Sequence, residues 1–209
     1  MGANDLPTDA ACLQALQEDE VGVLDQLMAR WQRPLYEFAY QYLRNHSDAQ
    51  ELVAESFVRL YQHRHRLRPD TSLSGWLFAT LSNLCCNHYR WRRRHPTVSL
   101  DATAGDAVSP VPSLSDRPEL EPGRRLEKDE ALTALDAALE NLPHDLKVTL
   151  LLHHYNKMPY EEIAAVVNCS TRGVETRLYR ARQKLRETLD RYLRDGDRPA
   201  SAVGRETTP

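Results

Sequence analysis

The chain has 209 residues, 41% of them hydrophobic, with 30 acidic and 27 basic groups and a formal net charge of −3. That balance predicts one large or two small folded units and excludes a uniformly basic nucleic-acid coat, a collagenous chain and a wholly disordered one. No run approaches the roughly 18 apolar residues of a membrane span, and Met1 to Leu13 lacks the apolar core of a secretory signal, so a soluble cytoplasmic protein with no membrane insertion is expected.

Taken in chain order, residues 1–12 are polar and expected to be disordered. Leu24, Leu27, Met28 and Trp31 then fall at the spacing of one helix face, and Leu35, Phe38, Ala39 and Tyr42 repeat it, with Pro34 set to open a new helix. A longer stripe follows at Ala49, Leu52, Val53, Ser56, Phe57, Leu60 and Tyr61, after the capping sequence Asn45-His46-Ser47. The polar turn Arg68-Pro69-Asp70-Thr71-Ser72 precedes another stripe, Leu77, Leu81, Leu84 and Cys85, and Trp76-Leu77-Phe78 read as core. No sustained period-two pattern occurs, so residues 13–95 are predicted to form a small helical bundle.

Residues 96–125 carry five prolines (Pro96, Pro110, Pro112, Pro118 and Pro122) and read as a flexible acidic linker. Helical spacing returns over 126–194, first at Leu132, Leu135, Leu139 and Leu142, then at Val148, Leu151, Leu152 and Tyr155. Residues 195–209 are polar and expected to be disordered. The predicted fold is all-α: two small helical domains joined by a Pro-rich flexible linker.

Charge is segregated along this order. Residues 1–60 are net −6, 61–94 net +6, 99–145 net −7 and 171–186 net +5. A near-neutral total thus hides two compact basic blocks, each a candidate polyanion site.

The second block carries the sharper motif. Tyr160 to Val167 has a short helical pattern, Asn168-Cys169-Ser170 forms a turn with Ser170 as a cap, and a long helix begins near Thr171. Val174, Leu178, Ala181 and Leu185 give that helix an apolar face, while Arg172, Glu175, Thr176, Tyr179 and Arg180 point away. This is a helix-turn-helix arrangement whose second helix suits the major groove. Arginines there can contact phosphate or bind guanine bidentately, and Glu175 can accept from cytosine N4 or orient its neighbours. The first block interleaves Asn83, Asn87, His88, Tyr89, Arg90, Trp91, Arg92, Arg93 and Arg94. Amides read base edges and aromatics stack unpaired bases, a chemistry suited to melted DNA.

The four cysteines (Cys12, Cys85, Cys86, Cys169) form no CxxC pair and the eight histidines no HExxH motif, so no metal or cofactor is expected. No phosphate-binding glycine loop or nucleophile elbow is present, which argues against an enzyme. A stand-alone helix-turn-helix regulator would account for 143–193 but leaves the 83–94 block and the acidic stripe at 48–57 unused.

Both blocks together resemble the extracytoplasmic-function (ECF) sigma factors, a two-domain group within the sigma-70 family of bacterial initiation factors. The resemblance rests on Asp48 to Tyr61, Trp76-Leu77-Phe78 and Asn87-His88-Tyr89-Arg90 in the first domain. In the second it rests on Leu142-Pro143, Glu162-Ile163-Ala164 and Val174 to Arg182. It implies that Asp48, Glu51, Leu52, Glu55 and Phe57 dock on core RNA polymerase. It implies that Arg68, Asp70, Ser72, Asn83, Asn87, Arg90, Trp91 and Arg93 recognise the melted minus-ten element. It implies that Ser170, Thr171, Arg172, Glu175, Thr176, Arg177, Tyr179, Arg180 and Arg182 read the minus-thirty-five duplex. It also implies an anti-sigma partner and localisation with the nucleoid when polymerase-bound. The chain departs from the family pattern at Ala54, where Gln is usual, at Asn87, where Asp is frequent, and at Arg172-Gly173 and Glu175 in the reading helix.

Overall fold

The computed structural model describes residues 8–95 and 134–196. The linker expected over 96–125, the first residues of the second domain and the tail beyond 196 lie outside them. Every regular element among the described residues is helical.

Helix α1 spans Asp9–Gln17, and Thr8 Oγ1 caps it by accepting from the Ala11 N–H at 3.3 Å. Order therefore begins inside the stretch expected to be disordered. The reason is a short buried stripe, Cys12, Leu13 and Leu16, too brief to stand out among polar neighbours. Helix α2 spans Val23–Leu43 as one element with Pro34 inside it, which corrects the reading of Pro34 as a helix start. Leu27, Leu35, Phe38, Ala39 and Tyr42 are all buried on its inner face. Burial of about 1.5–3 kcal/mol per large apolar side chain outweighs the roughly 3 kcal/mol cost of an interior proline.

Helix α3 spans His46–His63, with Asn45 Oδ1 accepting from the Asp48 N–H at 2.9 Å. A 3₁₀ turn at Arg64–Arg66 leads to α4, Leu73–Arg94, capped by Ser72 Oγ on the Gly75 N–H at 3.2 Å. The centre of this bundle is aromatic: Trp31 and Phe38 both meet Phe78 edge-on, at 6.3 and 5.7 Å. Leu77 and Phe78 are fully buried, as read from the sequence.

The second domain comprises α5 (134–140), α6 (His144–His154), α7 (Tyr160–Val166) and α8 (Thr171–Gly196). Leu151, Leu152, Ile163, Val174 and Leu178 form its core.

The two domains also pack on each other, α6 against α2 and α7 against α4. Their buried residues form one continuous apolar interior. Polar contacts line the seam. Tyr42 Oη and His144 Nδ1 share a hydrogen bond of 2.9 Å, Arg44 pairs with Asp136, and Tyr89 Oη donates to the Glu140 carbonyl at 3.3 Å. Asn156 Nδ2 donates to the Pro34 carbonyl at 3.3 Å. Lys147 lies at the centre, 3% exposed, its Nζ 4.5 Å from the Tyr42 ring and 5.6 Å from the Tyr89 ring.

Candidate nucleic-acid interface

Helix α8 begins where Ser170 Oγ accepts from the Gly173 N–H at 3.1 Å. Asn168 adopts the left-handed backbone (φ 48°) that turns α7 into it. Gly173 looks like a weak point for a helix from sequence alone. In the structure a Cβ there would stand 3.1 Å from Cys169 Sγ and 3.2 Å from its Cβ. The glycine lets the turn close against the helix.

Val174, Leu178 and Ala181 face inward with under 2% exposure, which fixes the rotation of α8. Arg172, Glu175, Thr176, Arg180 and Arg182 are exposed, and Tyr179 stands 69% exposed. Thr176 Oγ1 donates to the Arg172 carbonyl at 3.0 Å, so part of its capacity is used within the helix. Arg177 differs from the rest of the expected set. Its Nη1 donates to the Val167 carbonyl at 3.1 Å, and its Nη2 lies 3.6 Å from Asp145. It ties α8 to the end of α7 and to α6.

In the first domain, Asn83, Asn87 and Arg90 are exposed on one face of α4, with Trp91 half exposed beside them. Asn87, Arg90, Trp91 and Arg93 help to line an open concavity of about 810 Å³. Trp91 stacks on His95 at 5.1 Å, which stiffens an indole whose ring could take a base. Arg92 points the other way: its Nη1 donates to Asp48 Oδ2 at 2.6 Å, and His88 Nε2 lies 3.1 Å from the same oxygen. Asp48 is thereby bound to α4, not free on the outer face of α3.

The loop before α4 is held from a distance. Gln17 Nε2 donates to the carbonyls of Arg64 and Leu67 at 2.8 and 2.7 Å. Arg64 in turn pairs with Asp19 at 2.6 Å. Arg68 and Asp70 beyond it are almost fully exposed and 3.7 Å apart. Ser72 spends its hydroxyl on capping α4. Gln17 belongs to a helix the sequence pattern did not reveal, so its role was invisible there.

On α3, Glu51 is exposed and Glu55 half-buried, pairing with Arg59 at 2.8 Å. Leu52 and Phe57 are 8% and 3% exposed and pack into the core. The outer apolar surface is instead Ala54, Val58 and Tyr61. A groove of about 450 Å³ runs between α2 and α3, lined by Met28, Gln32 and Tyr36 on one side and Gln50, Ala54 and Phe57 on the other. Ala54 leaves it open where a longer side chain would fill it.

Among the described residues no three His, Cys, Asp or Glu side chains converge to hold a metal ion. No described helix is long and apolar enough to cross a membrane.

Comparison with known proteins bears on both surfaces. Residues 27–95 match Sigma-70 region 2, and residues 132–185 match Sigma-70, region 4. The chain is 27% identical over 187 residues to the RNA polymerase sigma-H factor of Pseudomonas aeruginosa, covering 90% of this chain and 96% of that one. It is 29% identical over 191 residues to the ECF RNA polymerase sigma factor SigE of Mycolicibacterium smegmatis, covering 90% and 70%. Among solved structures, CnrH in complex with the cytosolic domain of CnrY shares the fold with a TM-score of 0.62 at 24% identity, over 91% of this chain and 99% of that one. The sigma factor RpoE in complex with the anti-sigma factor NepR, from Bartonella quintana, gives 0.55 at 23% identity, over 79% and 96%.

Proposed function

Because the chain belongs to the sigma-70 family, as an ECF sigma factor, we propose a specific division of labour among its surfaces. The protein directs promoter-specific transcription initiation by core RNA polymerase. It performs no chemistry itself: it lends sequence preference to an enzyme and holds opened DNA. It works in the cytoplasm, where polymerase and nucleoid are.

The observation that carries the reading is the pair of exposed basic faces on two helices of different character. The face of α4 offers amides, Arg90 and a half-exposed Trp91, which suits unstacked bases of the minus-ten element. The face of α8 offers Arg172, Glu175, Tyr179 and Arg180 on a capped helix, which suits a duplex major groove at the minus-thirty-five element. Arg68 and Asp70, on the loop that Gln17 anchors, flank the melted strand.

Polymerase docks on the outer face of α3 through Glu51, Glu55 and the apolar patch of Ala54, Val58 and Tyr61, with Leu52 and Phe57 supporting that face from beneath. An apolar patch ringed by acids fits a basic partner. An anti-sigma factor competes for this face and the adjoining α2–α3 groove; solved relatives carry partners named as such in one case and as a cytosolic domain in the other.

The test is co-elution with bacterial core polymerase, with Glu51→Arg as control. Wild-type binding that the variant loses supports the docking assignment. Tight duplex binding without polymerase, and no co-elution, would move the protein to the stand-alone regulators.

A further inference from the structure

We propose that the end of α1 sets the base preference of the minus-ten loop: Asp19 and Gln17, acting through Arg64, are positioning residues for Arg68 and Asp70. The inference rests on the promoter-reading function above and adds to it a helix that lies outside both matched regions.

Asp19 stands where local chemistry disfavours it. Helix α1 ends in a Schellman turn, with the Glu20 N–H on the Ala15 carbonyl at 3.0 Å and the Asp19 N–H on the Leu16 carbonyl at 3.3 Å. Asp19 takes the left-handed position of that turn (φ 57°), where glycine or asparagine is usual. Its charge also sits at the negative pole of the helix, between Glu18 and Glu20. An acid kept against two local penalties points to a use elsewhere in the fold. That use is Arg64. Arg64 Nε donates to Asp19 Oδ1 at 2.8 Å, and Nη2 lies 2.6 Å from the same oxygen. Nη1 donates to the Tyr61 carbonyl at 2.8 Å, and the guanidinium lies 4.0 Å from the centre of the Tyr61 ring. The Arg64 side chain is 15% exposed and held from three directions.

Gln17 completes the hold. Its amide bridges the carbonyls of Arg64 and Leu67, the first residue of the 3₁₀ turn and the residue that ends it. Leu67 packs against the core. Beyond the loop, Ser72 is fixed as the cap of α4. Residues Arg68 to Thr71 alone lie between these anchors, closed by the Thr71 N–H on the Arg68 carbonyl at 2.9 Å. A loop this short takes its shape from its two ends. Arg68 and Asp70 project from it almost fully exposed, and among the described residues they pair only with each other. Their direction is therefore set by the stem. A recognition group has to be held within roughly 0.5 Å of its productive place. A slackened stem should thus blur base preference before it unfolds anything.

The experiment selects bound strands from a pool randomised over the minus-ten element, using the full chain with core polymerase, beside amide hydrogen exchange of the free protein. Asp19→Gly keeps the left-handed backbone and removes the carboxylate. Asp19→Asn keeps the backbone and an accepting oxygen. Arg64→Lys keeps the charge and loses the fork. Asp19→Gly and Arg64→Lys should lose several-fold preference at the positions where Arg68→Ala loses it, and keep it where Asn83→Ala or Asn87→Ala loses it. Asp19→Asn should retain most of the preference. Exchange at the Thr71 amide should quicken several-fold in Asp19→Gly and stay near wild type in Asp19→Asn, with circular dichroism level in all. Wild-type preferences in both Asp19→Gly and Arg64→Lys overturn the inference. So does an even loss across all positions, which marks a structural role alone. Unchanged Thr71 exchange in Asp19→Gly overturns the hold of α1 on the loop, whatever the DNA shows. A wild type without base preference, with Thr71 exchange still faster in Asp19→Gly, overturns the promoter reading and upholds that hold.

Discussion

Lys147→Met removes the charge at the seam and keeps the length of the side chain. The lysine pKa falls from 10.5 to about 8, burial being the largest cause. That lowering corresponds to about 3 kcal/mol against the folded, charged form at pH 7. Contact with the faces of Tyr42 and Tyr89 returns about 1–2 kcal/mol of that. Methionine loses the ring attraction and escapes the desolvation, so the variant should be more stable by about 1–2 kcal/mol.

The pH dependence isolates the cause. The folded state binds the Lys147 proton less tightly than the unfolded state, so its stability rises with pH between about 8 and 10.5. Below 8 the full penalty is present. From pH 7 to pH 9 the wild type should gain about 1.3 kcal/mol relative to Lys147→Met. The groups facing the amine are Tyr42 from α2 and Arg44 at its C-terminal cap, Cys85 and Tyr89 from α4, Asp136 and Glu140 from α5, and His144 from α6. Burial raises Tyr42 and Cys85 and lowers His144, which moves all three away from that window. Urea unfolding of both proteins at the two pH values measures the difference. Parallel pH dependence in wild type and variant would refute the reasoning, as would a variant weaker than wild type by more than 1 kcal/mol.

Three further outcomes are expected. Arg177→Ala should lower binding evenly across promoter sequences and cost about 1 kcal/mol of stability, because it frees α8 from Val167 and Asp145; Arg172→Ala should change preference at one base position, by about 1–3 kcal/mol in a selection of randomised duplexes. Gly173→Ala should be neutral or destabilising alone, since its Cβ meets Cys169, but stabilising by up to about 1 kcal/mol in a Cys169→Ala background; equal effects in both backgrounds would show that the close approach is not what excludes a side chain. Gln17→Ala should destabilise by about 1–2 kcal/mol and weaken minus-ten binding far more than minus-thirty-five binding, since it releases two carbonyls of the turn before Arg68; fluorescence anisotropy on each element separates the two.

The sequence exposed what repeats and hid what is met only once. Val174, Leu178 and Ala181 recur at helical spacing, so α8 and its outward arginines were legible from pattern alone. Ser170 was legible as a cap because capping is local. Arg177 was not separable from Arg180, since both are basic residues near the helix start; only the carbonyl of Val167, brought close by the turn, tells them apart. Leu52 and Phe57 were read as a docking pair because the family motif contains them. A motif records that residues matter together, and here two of them matter as core. Lys147 gave no signal at all. A lone lysine between apolar neighbours on a short helix reads as a side chain reaching solvent, and its burial depends on Tyr42 and Tyr89, more than fifty residues away.

One helix, α4, serves the core, an exposed polar face and the seam with the second domain. A helix of this length has room for three stripes, and α4 uses all of them. Leu77, Phe78, Leu81 and Leu84 hold it in the bundle. Asn83, Asn87 and Arg90 face outward. Tyr89 meets the second domain through the Glu140 carbonyl and Lys147. Between the stripes, Asp48 holds Arg92 and lies beside His88, linking the start of α3 to the end of α4. Asp48→Asn keeps a hydrogen-bonding oxygen but removes the charge that Arg92 meets, and should cost about 1 kcal/mol in urea unfolding; no loss would show that this carboxylate does not hold the two helices together.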